Sequence, residues 1–129
     1  MRWTIQLQAQ TARLNQLLGD WRSAARLKKR DRAIVALACH EAGVLPAEGR
    51  RHVSLCVTLG PRQRAADPDA YFKSLLDALT SCGALRDDSR QWVELGAVTF
   101  ERGPAASMTV TIEDADDLRR CPTCGQSTD

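Results

Sequence analysis

Two neighbouring patterns of different period constrain this chain most. His52–Leu59 reads HVSLCVTL, with Val53, Leu55, Val57 and Leu59 on one side, the period of two expected of a strand covered on one face. Beyond the basic loop Gly60–Ala66, Asp67-Pro68 opens a segment whose apolar residues Phe72, Leu75, Leu76 and Leu79 recur at helical spacing up to Gly83. A strand followed directly by an amphipathic helix requires a layered fold of both element types. The remaining patterns extend it. Trp3, Ile5 and Leu7 alternate along Arg2–Gln8, a first strand. Ala9–Asp20 reads as a loop holding one turn. Trp21–Ala42 contains a helix, firmest from Asp31, with Ile34, Val35, Leu37 and Ala38 as its apolar side and Gly43 as its stop. Gln91–Arg102 and Ser107–Glu113 flank Gly103-Pro104 and read as a closing hairpin, with Trp92 and Phe100 turned to the core. The order β-α-β-α-β-β predicts a small α/β (α+β) sandwich, helices packed on a mixed sheet, over residues 1–113. Residues 114–129 read as a polar tail.

Composition narrows the function. A chain of 129 residues, 43% hydrophobic and 26% charged, is in the range of ordinary globular domains. No apolar run is long enough to span a bilayer, and MRWTIQLQAQ lacks the core of a signal peptide. Five cysteines, an odd count, point to reduced thiols and a cytoplasmic protein. The net charge of +2 hides an asymmetry: residues 1–66 carry +8 and residues 67–129 carry −6. Such a split fits a surface facing a polyanion beside an acidic site, or two halves that attract each other. P-loop, dinucleotide-binding glycine and HExxH patterns are absent from the sequence.

The acidic half is densest at D67-P-D-A-Y-F-K73. One account is structural: Asp67 caps the helix, Pro68 takes its first position, and Asp69, Lys73 and Asp77 form an ion-pair ladder at four-residue spacing. The other is chemical. Asp67, Asp69 and a carboxylate of Asp87-Asp88 would repel one another unless protonated or bridged by a cation, and oxygen-only donors select a hard ion such as Mg²⁺. That account requires the strand near Gln91 to run back beside the start of the helix.

The run D67-P-D-A-Y-F-K-S-L-L-D-A-L-T-S-C-G-A-L-R-D-D88 resembles the signature of the RusA-type Holliday-junction resolvases, D-x-D-N-x-x-K-x-x-x-D-A-L followed by a glycine and an aspartate pair. The resemblance implies an endodeoxyribonuclease of DNA recombination and repair, a homodimer that hydrolyses phosphodiesters in branched DNA with Mg²⁺ or Mn²⁺. It makes Asp67, Asp69 and Asp88 the metal-binding carboxylates and Lys73 the catalytic lysine, with Asp87 the other member of the pair and Asp77 the family's helical aspartate. Two departures stand out. Ala70 occupies the family's Asn position, and QAQTARLNQLLG, with only Asn15 as a match, replaces a proline-rich loop. They motivate the alternative of a DNA-binding protein of the same fold that does not cleave.

Basic residues add to the DNA reading. Arg62 and Arg64 precede the acidic motif, and Lys28, Lys29 and Arg30 belong to a basic run along the first helix, placed to contact phosphates of branched or duplex DNA, although a solvated helix face explains the run equally well. Aromatic residues make up 5% of the chain, too few for a single-strand stacking platform. CPTCG supplies Cys121 and Cys124, half of a zinc knuckle. A second copy, Cys82, His40 or His52 would have to complete that site; otherwise the pair belongs to a tail without metal. A zinc-dependent interaction module is thus a third reading. Cys39 and Cys56 fall on apolar faces and read as core, and the two histidines read as boundary residues.

Overall fold

The chain builds a four-stranded sheet in the order β1-β4-β2-β3 with two helices over one face, an α+β architecture. The structure is a computed structural model and describes residues 1–13, 16 and 18–115. The strands are β1 (Arg2–Leu7), β2 (Arg51–Leu59), β3 (Val93–Arg102) and β4 (Ser107–Asp114); the helices are α1 (Trp21–Ala42) and α2 (Phe72–Ser81), the latter entered through a 3₁₀ turn at Pro68–Tyr71. The alternation predicts the buried faces well. Trp3, Ile5 and Leu7 of β1, and Val53, Leu55, Val57 and Leu59 of β2, join Val35, Phe72, Leu75, Leu76 and Leu79 in one core. Asp20 caps α1 by accepting from the Arg22 N–H, and Gly43 closes it in the left-handed conformation at φ 73°, where a Cβ is costly.

The expected closing hairpin does not form. β3 pairs with β2 in parallel, while β4 inserts antiparallel between β1 and β2. The two strands therefore flank β2 on opposite sides. A separation of two strand spacings, about 10 Å, is within reach of the short 103–106 connection. Two core assignments also change. Leu37 on α1 is 59% exposed and Phe100 on the edge strand β3 is 36% exposed. Phe100 packs its edge on Tyr71, with ring centroids 5.8 Å apart, and Trp92 is half-buried beneath the Arg86 guanidinium.

Two buried charges knit the layers. Asp31, wholly buried, accepts from the Ala12 N–H and the Ser74 hydroxyl, each at 2.7 Å, and from the Arg30 guanidinium. It joins α1, α2 and the loop after β1. At the other end of the sheet the Arg51 guanidinium lies over the Trp3 ring at 4.5 Å and donates to Asp114 and to the Leu45, Pro46 and Ala84 carbonyls. Asp114 also accepts from the N-terminal ammonium, and the Ala115 N–H donates to Arg50. Asp114 and Ala115 thus belong to the fold, two residues past the expected boundary at 113.

These ties carry measurable weight. Asp31→Ala strands a buried N–H and a buried hydroxyl, so chemical denaturation should show a loss of about 2–4 kcal/mol; a loss below about 0.5 kcal/mol, typical of a surface change, would contradict the role given to it. Burial pushes the Asp114 carboxyl up, but hydrogen bonds from the N-terminus and Arg51 outweigh this and hold it below its ordinary 3.8. A depressed carboxyl stabilises the fold above its unfolded value and stops doing so as pH falls through the folded one. Stability measured from pH 6 downward should therefore fall less steeply below about pH 4 in Asp114→Asn than in the parent. Identical pH profiles would remove Asp114 from the account.

Candidate functional site

The parallel crossover decides where the acidic residues stand. β2 ends at Leu59, the chain turns through Gly60–Ala66, and α2 returns along the sheet so that β3 can start beside the start of β2. The turn is built from specific bonds. Arg102 donates to the Gly60 and Gln63 carbonyls, Gln63 pairs with Gln10, and the Tyr71 hydroxyl accepts from the Ala66 N–H. These fasten the segment before Asp67 to the ends of β2 and β3 while Arg62 and Arg64 remain exposed.

Asp67, Asp69 and Lys73 stand together at this end of the sheet, all exposed. Asp67 occupies the cap position of the 3₁₀ turn, but its side chain makes no capping bond; only its backbone carbonyl is engaged, by Ala70. The expected ion-pair ladder is absent among the described residues, because Asp77 pairs instead with Arg32 on α1 at 2.9 Å. The carboxylates of Asp67 and Asp69 and the Lys73 ammonium are therefore unused by the fold. Lys73 follows Asp69 by four residues, so the two lie one helical turn apart. Ala70 is half-buried beside them.

Asp87 and Asp88 are exposed at the opposite end. The chain around them is anchored near the start of β2: Arg50 donates to the Arg90 carbonyl, and Arg51 N–H to the Trp92 carbonyl. The 3₁₀ turn and α2 span roughly 20 Å, so one chain does not bring Asp88 to Asp67 and Asp69. The strand after Gln91 does run back beside the start of α2, but it is the end of β3, Phe100 and Arg102, that arrives there, while Asp88 precedes the start of β3 at the far end. Among the described residues, no three of His, Cys, Asp and Glu gather closely enough to hold a metal ion.

The basic candidates divide. Lys29 is exposed and Lys28 half-buried on α1, whereas Arg30 binds the Asp31 carboxylate and the Gln10 carbonyl. Arg30 also lines a polar cavity of about 230 Å³ with Gln10, Arg13, Gln16 and Gln63, at the same end of the sheet as Asp67. The pattern of the sequence missed Asp31 and Arg51. The sequence pattern is firmest from Asp31, where an aspartate reads as an ordinary helix start, whereas α1 begins at Trp21 and Asp31 stands mid-helix; nothing local marks Arg51 as buried.

Cys39 and Cys82 stand at the C-terminal ends of α1 and α2, and the Cys82 thiol donates to the Leu79 carbonyl at 3.4 Å. Interaction with Cys39 holds the Cys82 thiol down at about 6, while interaction with Cys82 and burial push Cys39 up. Cys56 is half-buried on β2, and His40 is exposed. His52 lies 3.7 Å from Glu113. Cys121, Cys124 and Asn15 lie outside the described residues. Among the described residues no helix is long and apolar enough to cross a membrane. No protein-family model matches the chain, and no curated protein matches it.

Because Asp69 and Lys73 bond to nothing in the fold, Asp69→Asn and Lys73→Ala should change unfolding free energy by no more than about 0.5 kcal/mol. A loss of about 1.5 kcal/mol or more in a denaturation curve, beyond the ordinary range of surface changes, would show that the two residues serve stability.

Proposed function

We propose that this protein is a Mg²⁺-dependent endonuclease acting on branched DNA, working as a homodimer whose two acidic sites are each assembled from both copies. The observation that carries this reading is the set of exposed side chains, Asp67, Asp69 and Lys73, held at the end of the sheet by a well-bonded turn and used by no contact in the fold. Charged groups assembled without a structural partner are a feature of sites that await a ligand. Carboxylate oxygens with a nearby lysine suit a hard cation and a phosphate. The resemblance of Asp67–Asp88 to the RusA-type signature points to the same chemistry.

The second copy follows from the dimensions of α2. Two carboxylates stand at one end of the helix and two at the other, roughly 20 Å apart. A twofold axis across the middle of α2 sets two such helices antiparallel and brings Asp67 and Asp69 of one copy to Asp88 of the other. Two equivalent sites result, as paired cleavage of a four-way junction requires.

Bound Mg²⁺ would supply an activated water and charge neutralisation at the scissile phosphate. The chain's own residues do the rest. Asp67 and Asp69 orient the cation from one copy and Asp88 from the other. Lys73 faces the charge that develops on the phosphoryl oxygens, and so acts in the transition state more than in binding. Arg62 and Arg64 grip neighbouring phosphates. Ala70, in the family's Asn position, favours the second reading, a protein of this fold that binds junctions without cutting them.

A labelled four-way junction separates the readings. Paired nicks with Mg²⁺ or Mn²⁺ and none with EDTA are expected, whereas a retarded but intact junction in every metal would establish the non-cleaving alternative. Complementation tests the shared site. Asp67→Asn and Asp88→Asn should each be inactive, yet mixing them with subunit exchange should restore about one-quarter of the sites, since half of the dimers are mixed and each holds one intact site. No recovery despite demonstrated exchange would place each site within a single chain.

A further inference from the structure

The structure also forms a cavity that the nuclease reading does not use. It holds about 230 Å³ beside the loop after β1 and the Gly60–Ala66 turn, lined by Gln10, Thr11, Arg13, Gln16, Arg30 and Gln63. Pockets that enclose a whole small molecule hold roughly 300–1,000 Å³, so this space suits one group of a larger ligand. The cavity adjoins the acidic cluster. Its Thr11 hydroxyl donates to the Tyr71 carbonyl at 3.3 Å, and Tyr71 closes the 3₁₀ turn whose cap position Asp67 holds. Gln63 stands between the exposed Arg62 and Arg64, four residues before Asp67.

The lining is chemically one-sided. Backbone partners fix the orientation of all three carboxamides. Gln10 Nε2 donates to the Thr58 carbonyl, Gln63 Oε1 accepts from the Gly60 N–H, and Gln16 Oε1 accepts from the Arg13 N–H. Gln10 Oε1 accepts in turn from Gln63 Nε2, and the Gln10 carbonyl from Arg30. Every carboxamide oxygen of the lining is thus engaged by the fold. What remains are donors. The Arg13 guanidinium, Arg30 Nη1, the Gln16 amide N–H groups and the second N–H of Gln63 have no partner among the described residues. Asp31 offsets the charge of Arg30, whereas Arg13 is half-buried and has no ion-pair partner among those residues. No carboxylate among them lines the cavity. A concave site of N–H donors and positive charge selects an acceptor-rich anion. A nucleobase edge mixes donors with acceptors, and its donors would find no open carboxamide oxygen here.

We propose that this cavity binds one non-scissile phosphodiester group of the DNA strand that passes Asp67, Asp69 and Lys73. Arg13 supplies the charge, and the N–H groups of Arg30, Gln16 and Gln63 supply further hydrogen bonds to the phosphate oxygens. The phosphate would hold the strand in register beside the acidic cluster, which the exposed Arg62 and Arg64 on their own do not fix. The identity of the anion rests on the reading of this chain as a protein of branched DNA, whether or not it cleaves. The test is therefore one of binding.

Affinity for a labelled four-way junction is measured in EDTA over a range of salt, with the full chain and two variants. Arg13→Ala should weaken binding and lower the slope of log affinity against log salt by about one, the loss of a single phosphate contact. Gln16→Glu keeps an oxygen for the Arg13 N–H but sets a carboxylate against the phosphate, and should weaken binding at least about tenfold. Gln16 is exposed and the Arg13 guanidinium bonds to nothing in the fold, so denaturation curves should match the parent. In nuclear magnetic resonance spectra, a short DNA duplex should shift the Gln16 and Gln63 side-chain N–H signals in the parent and not in Arg13→Ala. A parent that binds the junction while both variants keep its affinity and slope would overturn the proposal and leave the DNA reading standing. Gln16 and Gln63 signals that stay put as the duplex binds would do the same. A parent that binds neither DNA would overturn both.

Discussion

Parallel strands cannot be joined by a tight turn, so the chain between β2 and β3 must travel back along the whole sheet before β3 begins. Much of what distinguishes this protein follows from that requirement. α2 is the return path, its buried stripe of Phe72, Leu75, Leu76 and Leu79 holding it on the sheet. Asp67 and Asp69 stand where the path starts, Asp87 and Asp88 where it ends. A motif that is compact in sequence is therefore spread over the length of a helix, and its two acidic ends can meet only across two copies.

The two ends differ in how they are fastened. Around Asp67 the fastening is distributed over several groups, Arg102, Gln63, Gln10 and the Tyr71 hydroxyl, each bonded to a backbone group of the turn or the strand end. It leaves the acidic side chains free. At the other end one buried guanidinium, Arg51, gathers the connection after α1, Ala84 in the connection after α2, β1 through Trp3 and the last residue of β4. A buried charge is costly unless its donors are matched, and here carbonyls and Asp114 match them. The arrangement explains why the C-terminal ends of both helices and the end of β4 converge there.

Period and punctuation made much of the fold legible in the sequence. The buried alternation of β1 and β2, the apolar stripe of α2 and the Gly43 stop are local signals, and local physics places them. Strand pairing is different. Val93–Arg102 and Ser107–Asp114, joined through Gly103-Pro104, carry the local marks of a hairpin, yet β2 offers both of its edges and each strand takes one. Phe100 shows a related failure, since its alternation is that of a core residue but β3 is an edge strand with little above it. Asp31 and Arg51 were invisible for another reason: a buried charge is defined by its partners, and those lie far away in sequence. The Asp67–Lys73 cluster could be read directly because it sits within one helical turn, whereas the place of Asp88 depended on strand direction.

The central claim is that the cation is held by carboxylates from two copies, and Mn²⁺ binding addresses it without relying on turnover. Titrations followed by the loss of the free-ion electron paramagnetic resonance signal can be run at protein concentrations on both sides of dimer dissociation, with sedimentation reporting the mass. The account predicts two bound ions per dimer and markedly weaker binding wherever the chain is monomeric, so that occupancy follows dimer formation. Equal affinity in monomer and dimer, or binding that survives Asp88→Asn unchanged, would contradict it.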